Sequence, residues 1–106
     1  MAYSSAAQKA KAIKLIEGAI AQFEKHRCMP DAWQSACLIE GLSALRRGAY
    51  GLAVTEARDV YTPKAERGHQ PEQKIKPLAI AVLKKAVSYV KQEPLRDHSY
   101  LRVASN

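Results

Sequence analysis

His26, Cys28, Cys37, His69 and His98 are the side chains of this sequence best suited to hold a soft metal ion. Tetrahedral zinc sites take thiolate and imidazole ligands, with paired ligands a few residues apart on both sides of the site. The spacing here matches no such pattern, so neither a metal nor a cofactor is expected. Glu17, Glu24, Glu40, Glu56 and Asp59 fall on helical segments among basic neighbours. Ion pairing along helix surfaces accounts for carboxylates placed that way. There is no phosphate-binding glycine loop and no nucleophile elbow. The chain therefore reads as non-enzymatic.

The two cysteines lie nine residues apart, whereas disulfide frameworks of small secreted domains use four or more. The opening "MAYSSAAQKAKAIK" has no apolar run of signal-peptide length, and no segment approaches membrane-spanning length. A reducing cytoplasm is the expected location, with both thiols free and packing as small apolar groups.

Chemistry at the surface is dominated by positive charge. The formal net charge is +7 over 106 residues, and it is concentrated at the two ends. Residues 1–28 carry five Lys/Arg against two Asp/Glu, residues 29–61 three against four, and residues 62–106 nine against four. Such a balance attracts nucleic acid, anionic membranes and acidic proteins alike, so its sign selects none of them.

The elements that must position these groups are helical. Apolar residues make up 47% of the chain, and five prolines and five glycines are too few for a many-turned β fold. Ile13, Ile16, Ile20 and Phe23 recur at intervals of three and four, which predicts a first helix capped by Ser4 or Ser5 and stopped before Pro30. Gly18 inside it costs about 1 kcal/mol relative to alanine, so a neighbouring backbone is expected to need the space. A second helix should open near Pro30 and carry Trp33, Cys37, Leu38, Leu42 and Leu45, closing at Arg46 and Arg47 before Gly48. A third runs from about Tyr50 to Tyr61. After the polar loop "TPKAERGHQPEQ", a last helix should open at Pro77 and stop at Pro94. Residues 1–94 form one all-α domain of about four helices, and residues 95–106 a partly ordered tail.

Gly48 can end one helix in a left-handed conformation and Tyr50 can begin the next, so the second and third helices should form a central antiparallel hairpin. The small residues Gly41 and Ala53 would let them nest. This stretch, residues 34–65, resembles a single tetratricopeptide-type hairpin. The small first-helix position falls on Gly41, the turn glycine on Gly48, the turn aromatic on Tyr50 and the second-helix alanine on Ala53. Cys37, Glu40 and Ala57 depart from the pattern, Pro63 comes two residues early, and no second copy follows. The resemblance implies binding of a peptide or protein in a groove between helices. As a DNA-reading helix-turn-helix the hairpin fails, because Glu56 and Asp59 would face the phosphates.

The last helix is the richest surface. Ile75, Leu78, Val82, Ala86 and Tyr89 form one stripe, and Ile80, Leu83 and Val87 extend it on one flank. Apolar residues thus cover roughly 200° of the helix, more than one core requires. Ile80, Leu83 and Val87, bordered by Lys84 and Lys91, are the candidate docking face for a partner protein with acidic rims, or for a second copy of the chain. The alternative is that Ile80 and Val87 pack under Leu95, Tyr100 or Leu101. A second function class uses Lys74, Lys76, Lys84, Lys85 and Lys91 on phosphates. That binding would be backbone-driven and salt-sensitive, and the exposed aromatics of single-strand binders are missing. The expected function is a small adaptor, chaperone or regulator that binds another protein, with a nucleic-acid-binding regulator as the alternative and no membrane association.

Overall fold

The computed structural model describes residues 4–68 and 75–96. Among the described residues four helices pack into a small all-α bundle: α1 (Ser5–Lys25), α2 (Ala32–Arg46), α3 (Tyr50–Asp59) and α4 (Ile80–Gln92), with a short helical turn at Lys64–Glu66. α3 lies between α1 and α2 and packs on both, while α4 lies mainly on α1 and touches α2 less.

The helix ends follow from local chemistry. The Ser4 hydroxyl accepts from the Ala7 N–H at 3.2 Å and caps α1. At the other end Arg27 takes a left-handed conformation (φ 50°). The Cys28 N–H then reaches the Phe23 carbonyl and the Arg27 N–H the Glu24 carbonyl, a Schellman closure built on a non-glycine residue. Gly48 (φ 82°) closes α2 in the same way, with Ala49 N–H bonded to the Ala44 carbonyl at 2.8 Å. α2 opens one step later than expected. Pro30 stays outside the helix, and Asp31 caps it, accepting from the Gln34 N–H at 2.8 Å while the Gln34 side chain accepts from the Asp31 N–H at 3.0 Å. This reciprocal capping box outcompetes a proline start because it satisfies two exposed N–H donors at once. α4 begins at Ile80, three residues after Pro77, and ends before Glu93, whose extended backbone is the conformation Pro94 imposes on its predecessor.

The core joins Ile13, Ile16, Ile20 and Phe23 of α1 to Leu38 and Leu45 of α2, Ala53 and Ala57 of α3, and Leu83, Val87 and Val90 of α4. Gly18 does not act as the sequence suggested. It is backed by a side chain rather than by backbone: a Cβ there would lie 2.8 Å from the Tyr61 hydroxyl, which donates to the Leu15 carbonyl. At Gly41 a Cβ would meet the Glu56 Cβ at 3.6 Å, Ile16 Cδ1 at 3.7 Å and the Ala53 carbonyl at 3.9 Å, all ordinary contacts. The hairpin therefore nests where the buried Gly41 faces the inaccessible Ala53, as their small size suggests, although an alanine would also fit at position 41.

The segment after α3 is pinned by Arg67. Its guanidinium lies 4.4 Å from the Trp33 ring centre and bonds the Asp31 carboxylate at 2.9 Å. After α4, the Arg96 N–H donates to the buried Tyr50 hydroxyl at 2.7 Å, which holds the chain end of the described region against the start of α3. The expected tail lies otherwise outside the described residues.

Candidate docking surface on the last helix

α4 presents its apolar residues in two adjoining stripes, and packing settles which one is internal. Leu83, Val87 and Val90 are 1%, 4% and 1% exposed and form the part of α4 in the core. Val82 and Tyr89 are 59% and 58% exposed. The expected assignment is thereby exchanged. Leu83 and Val87, read as a docking face, point inward, and Ile80 packs half-buried against the core. The stripe of Leu78, Val82, Ala86 and Tyr89 is the one left open or only partly covered. The physical reason is that Leu83, Val87 and Val90 bury their apolar surface in the core that α4 shares with α1, and the half-exposed Lys84–Glu24 and Lys91–Glu17 pairs only flank that contact.

Those pairs involve the remaining expected site residues. Lys84 Nζ lies 2.7 Å from Glu24 Oε2, and Lys91 Nζ 3.1 Å from Glu17 Oε2. Together they bridge a shallow groove of about 440 Å³ between α1 and α4, whose lining includes Ile20 and Val87. Lys9 adds a third tie, donating to the Glu93 carbonyl at the C-terminal end of α4, where a cation also suits the helix dipole. Lys84 and Lys91 thus face carboxylates of their own chain. Of the other lysines considered for phosphate, Lys76 and Lys85 are exposed and Lys74 lies outside the described residues.

On the opposite side of α4, α2 diverges and leaves a broader groove of about 590 Å³. Its walls are Ile39 and Leu42 from α2, Leu78 from the lead-in to α4, and Val82 and Ala86 from α4. A smaller recess of about 270 Å³ continues it toward Tyr89 and Val90. Arg46, Arg47 and Arg96 line the larger groove. Arg47 is laid along the α2 ridge by its bond to Ser43 Oγ at 2.8 Å, and Arg46 makes a loose contact with Glu93 at 3.6 Å. Among the described residues no carboxylate pairs with Arg47 or Arg96. In the sequence Arg46 and Arg47 read only as helix-closing cations. The available signal was their spacing of seven and eight residues from Ile39, which puts all three on one side of α2.

Among the described residues, the titratable groups of Cys37, Glu56 and Asp31 have clear environments. Burial, followed by the nearby carboxylates of Glu56 and Asp59, pushes the Cys37 thiol up to about 12, so it stays protonated at neutral pH. Cys28 is exposed, as is His26. Among the described residues no three His, Cys, Asp or Glu side chains come together as a metal site, and His69 and His98 lie outside those residues. Glu56 is held above its ordinary value by burial and by Asp59 and Glu40. Burial alone would raise the Asp31 carboxyl, but the Gln34 N–H and the Arg67 guanidinium outweigh it and lower the value.

No helix among the described residues is long and apolar enough to cross a membrane. Compared with family models, curated proteins and solved structures, the chain matches none of them.

Proposed function

We propose that this protein is a non-enzymatic interaction domain that docks another protein against the groove between α2 and α4. The observation that carries this reading is the second apolar stripe of α4. Val82 and Tyr89 are more than half exposed beside the 40%-exposed Ile39, although the first stripe already meets the needs of the core. Contiguous apolar surface left in the open on a small domain marks an interaction site more often than scattered single residues do. The resemblance of residues 34–65 to a tetratricopeptide-type hairpin points to the same class of function, an adaptor, chaperone or regulator acting in the cytoplasm. The phosphate-binding alternative is weakened because Lys84 and Lys91 are engaged by Glu24 and Glu17.

The test is site-specific photo-crosslinking in the native host. A photoreactive residue at position 82 should yield a discrete protein adduct, whereas one at Lys14, exposed on α1, should not. Adding Tyr89→Asp should remove the adduct while the helical circular dichroism spectrum is unchanged. Equal labelling from both positions, or adducts that disappear on nuclease treatment, refutes the reading.

A further inference from the structure

We infer that the occupant of the α2–α4 groove is an acidic amphipathic helix of another protein, about three turns long. This inference rests on the docking reading above and names the chemistry of the partner. The groove has two apolar ridges: Ile39 and Leu42 on α2, and Leu78 just before α4 with Val82, Ala86 and Tyr89 on it. The second ridge runs from an extended lead-in at Leu78 through nine helical steps from Ile80 to Tyr89, about 14 Å at helical rise and longer by the lead-in. Ala86 sits between the larger side chains, so the floor is shallow enough for a knob of an incoming helix to seat at its i, i+3, i+4 and i+7 positions.

The rim decides the sign of the partner. Arg46, Arg47 and Arg96 line the groove, and Lys85 stands exposed beside Val82 and Tyr89 on α4. Glu93 is the single carboxylate in contact with these four cations among the described residues, and it reaches Arg46 at 3.6 Å. The acidic residues of the neighbouring elements face away. Glu40 clusters with Glu56 and Asp59 toward α3, while Glu17 and Glu24 are occupied on the α1 side of α4. Guanidinium groups flanking an apolar channel recognise carboxylates through paired N–H donors. A symmetric contact with a second copy through this face would set these cations against their own counterparts, which disfavours self-association here.

A direct test uses fluorescence anisotropy with the full chain and three labelled peptides. One is an amphipathic helix with leucines at i, i+3, i+4 and i+7 and glutamates elsewhere. The second has lysine in place of each glutamate, and the third is a scramble of the first. The acidic helix should bind, with affinity falling as salt is raised, and the other two should bind at least about tenfold more weakly. Val82→Asp should abolish binding. The paired variant Arg47→Glu/Arg96→Glu should lose about tenfold for the acidic peptide and gain for the basic one, whereas Lys84→Glu should leave both unchanged. Equal binding of acidic and scrambled peptides, or no effect of Arg47→Glu/Arg96→Glu, overturns the inference. So does displacement of the acidic peptide by an oligonucleotide of equal charge, or a dimer in sedimentation that Val82→Asp dissolves. A position-82 adduct in cells combined with no acidic-peptide binding sinks the acidic partner and leaves the docking surface standing; loss of both sinks the two together.

Discussion

The repeated tetrapeptide "LIEG" ends in Gly18 on α1 and in Gly41 on α2, and only the second glycine should gain stability on replacement by alanine. Each sits inside a helix, where replacing glycine by alanine is worth about 1 kcal/mol of intrinsic propensity. At Gly41 the new methyl meets its neighbours at 3.6–3.9 Å, which is ordinary contact. Gly41→Ala should therefore realise the whole gain of about 1 kcal/mol, raising Tm by about 4–8 °C for a domain of this size. At Gly18 the methyl would stand 2.8 Å from the Tyr61 hydroxyl. Tyr61 is 48% exposed, so its ring can swing away, but it then gives up the hydrogen bond to the Leu15 carbonyl. A bond of that kind contributes about 0.5–1.5 kcal/mol, which offsets the propensity gain and leaves Gly18→Ala near neutral. Tyr61→Phe removes the obstructing oxygen and alone should cost about 1 kcal/mol. In that background Gly18→Ala should recover its gain of about 1 kcal/mol, so the cycle shows a coupling of that size. Urea unfolding followed by circular dichroism, extrapolated linearly, measures all five proteins. Gly18→Ala stabilising as much as Gly41→Ala, or a cycle additive within about 0.3–0.5 kcal/mol, refutes the account of Gly18 as a slot for Tyr61.

The two stripes of α4 are separable by truncation. Leu83→Ala should cost about 2–5 kcal/mol as a buried large-to-small change, while Val82→Ala should stay within about 0.5 kcal/mol in the same denaturation assay. Arg27→Gly should stabilise the protein by about 1 kcal/mol by removing a side chain from the left-handed closure of α1, seen as a higher urea midpoint. The raised Glu56 carboxyl means the folded state holds its proton more tightly than the unfolded state, whose value is near 4.5. The group's favourable contribution is therefore present below that pH and is lost as pH rises through the folded value. Glu56→Gln should leave a flatter profile, its advantage over the parent growing above pH 4.5 and levelling off once Glu56 is ionised in both states; a constant difference from acid to neutral pH contradicts this.

Much of this molecule was readable in one dimension. The three- and four-residue recurrence of Ile13, Ile16, Ile20 and Phe23, the cap at Ser4, the stop at Pro94 and the left-handed closure at Gly48 are local features. Each depends on neighbours within about one helical turn, so the residues alone determine four helices and a tight hairpin. The roles of the stripes on α4 do not have that property. Leu83 and Val82 are adjacent and both apolar, and which of them is buried depends on where α1 and α2 lie against α4. The purpose of Gly18 likewise rests on Tyr61, 43 positions further along, and the arginine rim joins Arg46 and Arg47 to Arg96 across half the chain. Sequence periodicity reports how apolar residues repeat along a helix; only the arrangement of the other helices determines which side of it meets water.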